Sequence, residues 1–410
     1  MGKVDKKVVV IIAGIVVLLA IGVFMVIQLG SGVLNQIGKT DVVKFADLRG
    51  FINNTPRSGA DISGLNLRAQ ADAAEVLPFV QFNLNTVWPP KNMLPEGFDP
   101  LKILDAAKNP GLGIDELHKQ GLTGKGIGIG IMEFPIYTGH DEYKDRIKAY
   151  QTFGNPQVSS DPNAQALVSE LAGKTLGVAP GANVYYAAVE KFLKDQDGNV
   201  LKDDSGIPIL TIVNYVNAMD WFIYLNKSLP IENKIRMVVV PIAPDNITGE
   251  DNGTPFTDST ELWKSTLQKA ANAGIIVFDL TNRRQVGSCW LNNKKPNDLA
   301  AVQPGYPDDP NKDVATDYVL MPTCPRTFAE EYVQGQSGYR YMPRTGTQFI
   351  LPYAAGVAAL GFEAAGYEKT QNLTLSDINR LFFKTAYVLK KGIQENNIVN
   401  PKAFIKAISA

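Results

Sequence analysis

From Val8 to Ile27 the chain reads VVVIIAGIVVLLAIGVFMVI, apolar or small at every position, and no charge stands between Lys7 and Lys39. A run of about 20 such residues matches the hydrocarbon thickness of a bilayer and predicts a transmembrane helix, drawn at 8–29. Lys3, Lys6 and Lys7 precede it and the far flank QLGSGVLNQIG is neutral. The positive-inside rule then keeps residues 1–7 in the cytoplasm and makes the main domain extracytoplasmic. A cleaved signal peptide is the alternative, but the run is long for one and no A-x-A site follows.

The pattern changes after the span. Residues 30–100 carry Asn, Pro and Gly clusters (NNTPRSG, VWPPKNMLPEGFDP) with weak periodicity, which reads as a stalk and an N-terminal extension wrapping the next domain. From 101 to 410 short apolar runs alternate with amphipathic stretches. The runs are IGIGIM (127–132), VYYAAV (184–189), MVVVPIA (237–243), GIIVFDL (274–280) and YVLM (318–321); the stretches lie near 165–173, 211–226 and 259–273. Runs apolar on both faces are strands covered on both sides, and right-handed crossovers make them parallel. The expected fold is α/β, a three-layer αβα sandwich with a mainly parallel sheet.

Composition narrows the function. The 410 residues carry 40 Lys and Arg against 41 Asp and Glu, a net charge of −1, with 45% hydrophobic residues. Such a balance excludes a nucleic-acid binder that relies on bulk positive charge, and the apolar content excludes a disordered chain. Two cysteines, Cys289 and Cys324, are too few for a disulfide scaffold or a thiolate zinc site. They either pair in an oxidising compartment or stay as buried thiols. Asn-x-Ser/Thr sequons at Asn53, Asn226, Asn246, Asn252 and Asn372 are compatible with glycosylation, or with chance in an Asn-rich chain. No cofactor is implied. Asp195, Asp197 and Asn199 half-match a calcium loop whose twelfth position is Gly206, so 195–208 reads as hairpin turns; PDDPNKD (307–313) offers carboxylates for a structural calcium but reads first as an exposed turn.

Four segments in fixed order resemble the subtilisin-like serine peptidases. GIDELHKQGLTGKGIGIGIMEF (113–134) is similar to the family's opening helix and the strand that ends in the catalytic aspartate. NAQALVSELAGKTLGVAPGANVYYAAV (163–189) resembles the helix that begins with the catalytic histidine, and LQKAANAGIIVFDLTN (267–282) the approach to the oxyanion asparagine. TDYVLMPTCPRTFAEEYVQGQSGYRYMPRTGTQFILPYAAGVAAL (316–360) resembles the nucleophile helix and what precedes it. The resemblance implies the subtilisin fold from about Leu101 onward.

It also implies where catalysis would sit, and those positions are changed. Glu133 stands where the family has aspartate, Asn163 (or Ala164, with a one-residue slip) where it has histidine, and Gln348 where it has the serine. The oxyanion position falls on Asn282 or Arg283. An amide cannot attack a carbonyl, and Asn163 has no titratable nitrogen to take a proton. Losing nucleophile or base alone costs on the order of a millionfold in kcat. The acid-acting sedolisins place carboxylates on the same helix, at positions matching Ala166 and Val168, and keep the serine; neither condition holds here.

The remaining candidates are bland. His140, in YTGHDEY, reads as a loop histidine on a charged rim, and His118 as a helix C-terminal cation or a satisfied surface residue. Thr347 neighbours the nucleophile position and points elsewhere. In the family, the strand after the third helix binds substrate backbone; here the matching VVVPIAPDN (238–246) lacks two N–H donors, at Pro241 and Pro244.

Three functions are therefore carried forward. A membrane-anchored pseudoprotease that binds or scaffolds a protein partner leads. Behind it stand a hydrolase using Glu133 as general base, with Glu133 otherwise expected to hydrogen-bond Asn163 and Gln348, and a purely architectural block whose cleft is plugged by its own residues 40–100.

Overall fold

A computed structural model describes residues 59–69, 73, 77–156, 158–243, 259–281, 286–305, 318–391 and 394–410. The expected transmembrane span, the oxyanion candidates Asn282 and Arg283, the stretch 307–313, Pro244 and the sequons at 53, 246 and 252 lie outside the described residues. The chain divides into two compact units at Asp99/Pro100. In the first, Trp88 packs edge-on to Phe82, with ring centroids 5.2 Å apart, and at 5.1 Å from Phe98.

In the second unit, runs without a polar face become strands buried at all positions or all but one. These are β1 (Gly128–Glu133), β3 (Asn183–Val189), β4 (Ile235–Val240) and β5 (Ile276–Asp279). A half-exposed edge strand, β2 (Ile147–Phe153, IKAYQTF), completes a five-stranded sheet in the order β2-β3-β1-β4-β5. Every neighbouring pair is parallel, with Phe153 opposite Val189, Glu133 opposite Ala188 and Val240 opposite Asp279. The edge strand escapes notice in sequence because polar residues interrupt its apolar positions. The expected run 237–243 stops at Val240, since Pro241 has no N–H to continue a ladder.

The helices are α1 (Pro100–Ala106), α2 (Ile114–Lys119), α3 (Pro162–Ala172), α4 (Val213–Ser228), α5 (Ser259–Asn272), α6 (Ile350–Ala365), α7 (Tyr367–Thr370), α8 (Leu375–Thr385) and α9 (Pro401–Ser409). Alternation along the strands sends side chains to two cores, as the period of two demands. Ile129, Ile131, Val184, Tyr186, Met237 and Val239 face a cluster containing α2, α3, α6 and α9. Met132, Tyr185, Ala187, Val238, Val240 and Val277 face a second cluster with α4 and α5. Helices thus cover both faces. The close approach of α6 depends on Gly356, where an added Cβ would sit 2.6 Å from Val178 Cβ.

A second sheet has the order β10-β11-β7-β6, from β6 (Val286–Trp290), β7 (Val319–Cys324), β10 (Tyr387–Lys391) and β11 (Gln394–Ile398). Only β10 runs antiparallel there, and β8 (Arg326–Glu331) with β9 (Ser337–Met342) forms an antiparallel hairpin. Cys289 and Cys324, on neighbouring strands, are both buried free thiols. Among the described residues, one helix, Thr347–Ala365, is long and apolar enough to cross a membrane; it is mostly buried inside the protein, which makes it the core helix.

Candidate functional site

Parallel strands put their carboxyl ends at one edge, and the loops that follow gather there. Glu133 ends β1. Two residues later the Pro135 carbonyl accepts from Asp161 N (2.7 Å), and Asp161 caps α3 by accepting from Asn163 N (2.8 Å) and Ala164 N (2.9 Å). Pro162 follows at the first helical position, so the Asp-Pro pair starts α3 three residues earlier than the apolar pattern suggested. Ala166 and Leu167 of α3 pack with Phe328, Met342 and Phe349, the last of these immediately after Gln348. Glu133, Asn163 and Gln348 are each tied to this edge of the unit through such links.

The side chains do not join. Glu133 is 5% exposed; its Oε1 accepts from Phe134 N (2.9 Å) and forms an ion pair with Lys191, whose ammonium also lies 4.3 Å from the Phe134 ring centroid. Asn163 is exposed and accepts from Arg340 Nη2 (3.2 Å). Gln348 is half-buried, its Oε1 folded back where a Cβ on Gly346 would stand. The expected network of Glu133 with Asn163 and Gln348 is therefore corrected: a nearby ammonium neutralises the buried carboxylate more effectively than two neutral amides. Ala164 and the sedolisin-type positions Ala166 and Val168 are wholly buried.

Both imidazoles are committed elsewhere. His140 has no exposed surface, so it is not on a rim; Nε2 donates to Gly338 O (3.0 Å), Nδ1 accepts from Glu142 N (3.2 Å), and the ring stacks on Tyr143. Burial lowers its pKa and keeps it neutral. His118 Nε2 donates to Val178 O (2.9 Å), and burial again lowers its pKa, so it is a neutral tie and not a helix-end cation. Among the described residues neither histidine hydrogen-bonds a hydroxyl. Thr347 is exposed, while Thr345 Oγ1 donates to Thr323 Oγ1 (2.9 Å), which also meets Ser288.

The loop after β3 closes on itself. Leu193 N donates to Ile209 O, Leu201 N to Leu193 O and Ile209 N to Leu201 O (2.8–2.9 Å), a cyclic three-strand arrangement built on two turns. Asp195 Oδ1 caps one turn by accepting from Asp197 N and Asn199 N; Asp203 Oδ1 caps the other by accepting from Ser205 N and Ile207 N. The hairpin reading of 195–208 fits, and the carboxylates are turn caps. Among the described residues no group of three His, Cys, Asp or Glu side chains is placed to hold a metal. The sequon at Asn226 is structural: buried, its amide donates to Ile235 O (2.9 Å) and accepts from Ile235 N (2.7 Å).

Sequence reasoning missed Lys191 and Arg340. Lys191 lies 58 positions beyond Glu133, and only the β1–β3 register, which sets Glu133 beside Ala188, brings it near. The signal present was a charge at the end of one strand and another two residues past the end of its neighbour.

No family model matches the chain, and no curated protein matches it. Among solved structures, a cold adapted subtilisin-like serine proteinase is similar, with a TM-score of 0.41 and 17% identity over 67% of this chain and 89% of that one.

Proposed function

We propose that the protein is a membrane-anchored, extracytoplasmic pseudoprotease that acts by binding or scaffolding a protein partner. Four sequence segments in subtilisin order support the ancestry, and the run Val8–Ile27 supports the anchor. The observation that carries the reading is the fate of the two imidazoles. His118 and His140 are each bound to a main-chain carbonyl, and Glu133, Asn163 and Gln348 present a carboxylate and two amides. No hydroxyl is activated by a base in that arrangement. Hydrolysis with Glu133 as general base is disfavoured by the Lys191 ammonium, which occupies the carboxylate.

The test uses the full chain purified in detergent, incubated with unfolded casein and with a serine-reactive fluorophosphonate. Neither turnover nor labelling is expected, and crosslinking in the native membrane is expected to capture one protein partner reproducibly. Labelling that vanishes in a variant of the β1/α3/α6 edge overturns the proposal. The architectural reading draws support from the self-paired loop 193–209; it is favoured if crosslinks fall only on the outer surface and none on that edge.

A further inference from the structure

At the amino-terminal edge of the five-stranded sheet, opposite the strand ends that carry Glu133, a cavity of about 370 Å³ opens beside the start of β4. Asn226, Lys227, Lys234, Arg236, Tyr367 and Gln371 contribute its polar lining, and among the described residues no carboxylate side chain lines it. Arg236 is 5% exposed. Its Nη2 donates to Thr370 O (2.8 Å), and the guanidinium lies 5.2 Å from the Phe362 ring centroid and 4.9 Å from that of Tyr367. Those contacts orient the fork without neutralising it. Among the described residues Arg236 has no ion pair, and it lines the cavity.

Arg326, with no exposed surface, has an acidic group beside it, the Glu170 carboxyl at 3.8 Å; among the described residues Arg236 has none. A buried cation without a counter-charge is costly, and a guanidinium presents paired donors that match the oxygens of a phosphate or carboxylate. Asn226 O at the end of α4 accepts from the Lys234 ammonium and orients it without neutralising it, so Lys234, Arg236 and Lys227 in the last turn of α4 all bring positive charge to the lining. Tyr367 also lines the cavity.

We propose that this cavity is a binding site for an oxyanion, with the Arg236 guanidinium as its fixed fork and Lys227 as the closing cation. The site is independent of the altered triad positions and stands whether or not the pseudoprotease reading does. Phosphate, phosphomonoester and carboxylate groups share the required chemistry, and the experiment separates them.

The full chain in nonionic detergent is titrated calorimetrically with inorganic phosphate, glycerol phosphate and acetate at constant ionic strength. Saturable binding of at least one probe is expected. Tighter binding of the phosphomonoester than of inorganic phosphate points to a small-molecule ester, and binding of acetate alone points to a carboxylate ligand. Arg236→Lys keeps the charge but loses the fork and should weaken binding about tenfold; Lys227→Glu should weaken it at least as much, whereas Lys119→Ala, on α2, should change nothing. If Arg236→Lys does not fold, Lys227→Glu decides. Absence of saturable binding by all three probes, or binding unchanged by Lys227→Glu, overturns the proposal.

Discussion

Glu133 and Lys191 form an ion pair that joins the ends of two adjacent parallel strands, with side-chain exposures of 6% and 19%. The pair holds the carboxylate at the position where the sequence resemblance places a catalytic acid, and it holds it away from Asn163 and Gln348. Removing one partner leaves a largely desolvated charge. Lys191→Met should therefore destabilise the protein by about 3 kcal/mol and Glu133→Gln by a similar amount, while the double variant should lose less than the sum. A double-mutant cycle in urea measures the coupling; additive losses would show the pair to be energetically idle.

The Glu170 carboxyl is wholly buried, and neither of its oxygens has a hydrogen-bond partner among the described residues. Burial raises its pKa from 4.5 to about 8, against the opposing pull of Arg326. Between those values the folded protein keeps a proton that the unfolded chain releases, so stability should fall as pH rises through that window. Glu170→Gln should flatten this limb, gaining on the order of a few kcal/mol relative to the parent at its alkaline end. Urea midpoints at pH 5 and pH 8 check it, since parallel behaviour of parent and variant would mean that Glu170 is ionised throughout.

His140 acts in the opposite direction. Its folded pKa lies below the ordinary 6.5 because charging the ring would mean desolvating a cation. Its contribution is complete above 6.5 and is lost as pH falls through the lowered value. His140→Phe keeps a ring on Tyr143 and removes the proton uptake, so its stability should decline less steeply below pH 6.5 than that of the parent. An acid limb as steep in the variant would assign the effect to His118 or to carboxylates.

A hydroxyl placed at residue 348, where the sequence resemblance would set a nucleophile, should not create chemistry. Gln348→Ser is expected to remain unlabelled by a fluorophosphonate, because Asn163 cannot accept the proton and both histidines are engaged with Val178 O and Gly338 O. Measurable labelling of that single variant would place an unrecognised base at the site.

The start of α3 offers a stability test. Asp161→Ala removes two cap hydrogen bonds and should cost about 1 kcal/mol in thermal or urea unfolding. A loss within error would mean that Pro162 and the Asp161 N contact to Pro135 O are enough to start the helix.

The sequence by itself determined the elements whose signal is local. Both-face apolar runs predicted β1, β3, β4 and β5, because a strand covered on two sides has no polar position to betray it; the apolar run Val8–Ile27 is equally plain in the sequence but lies outside the described residues. The same one-dimensional reading named Glu133, Asn163 and Gln348, since a motif in register needs no third dimension. Only the tertiary structure decided whom those side chains meet. Lys191 reaches Glu133 through strand register, Arg340 reaches Asn163 from a hairpin 177 positions away, His140 is buried by packing against Tyr143 and Tyr339, and Arg236 has no counter-charge among the described residues. The physical reason is that ion pairing, burial and the environment of a charge depend on distances across the fold, which sequence separation does not encode.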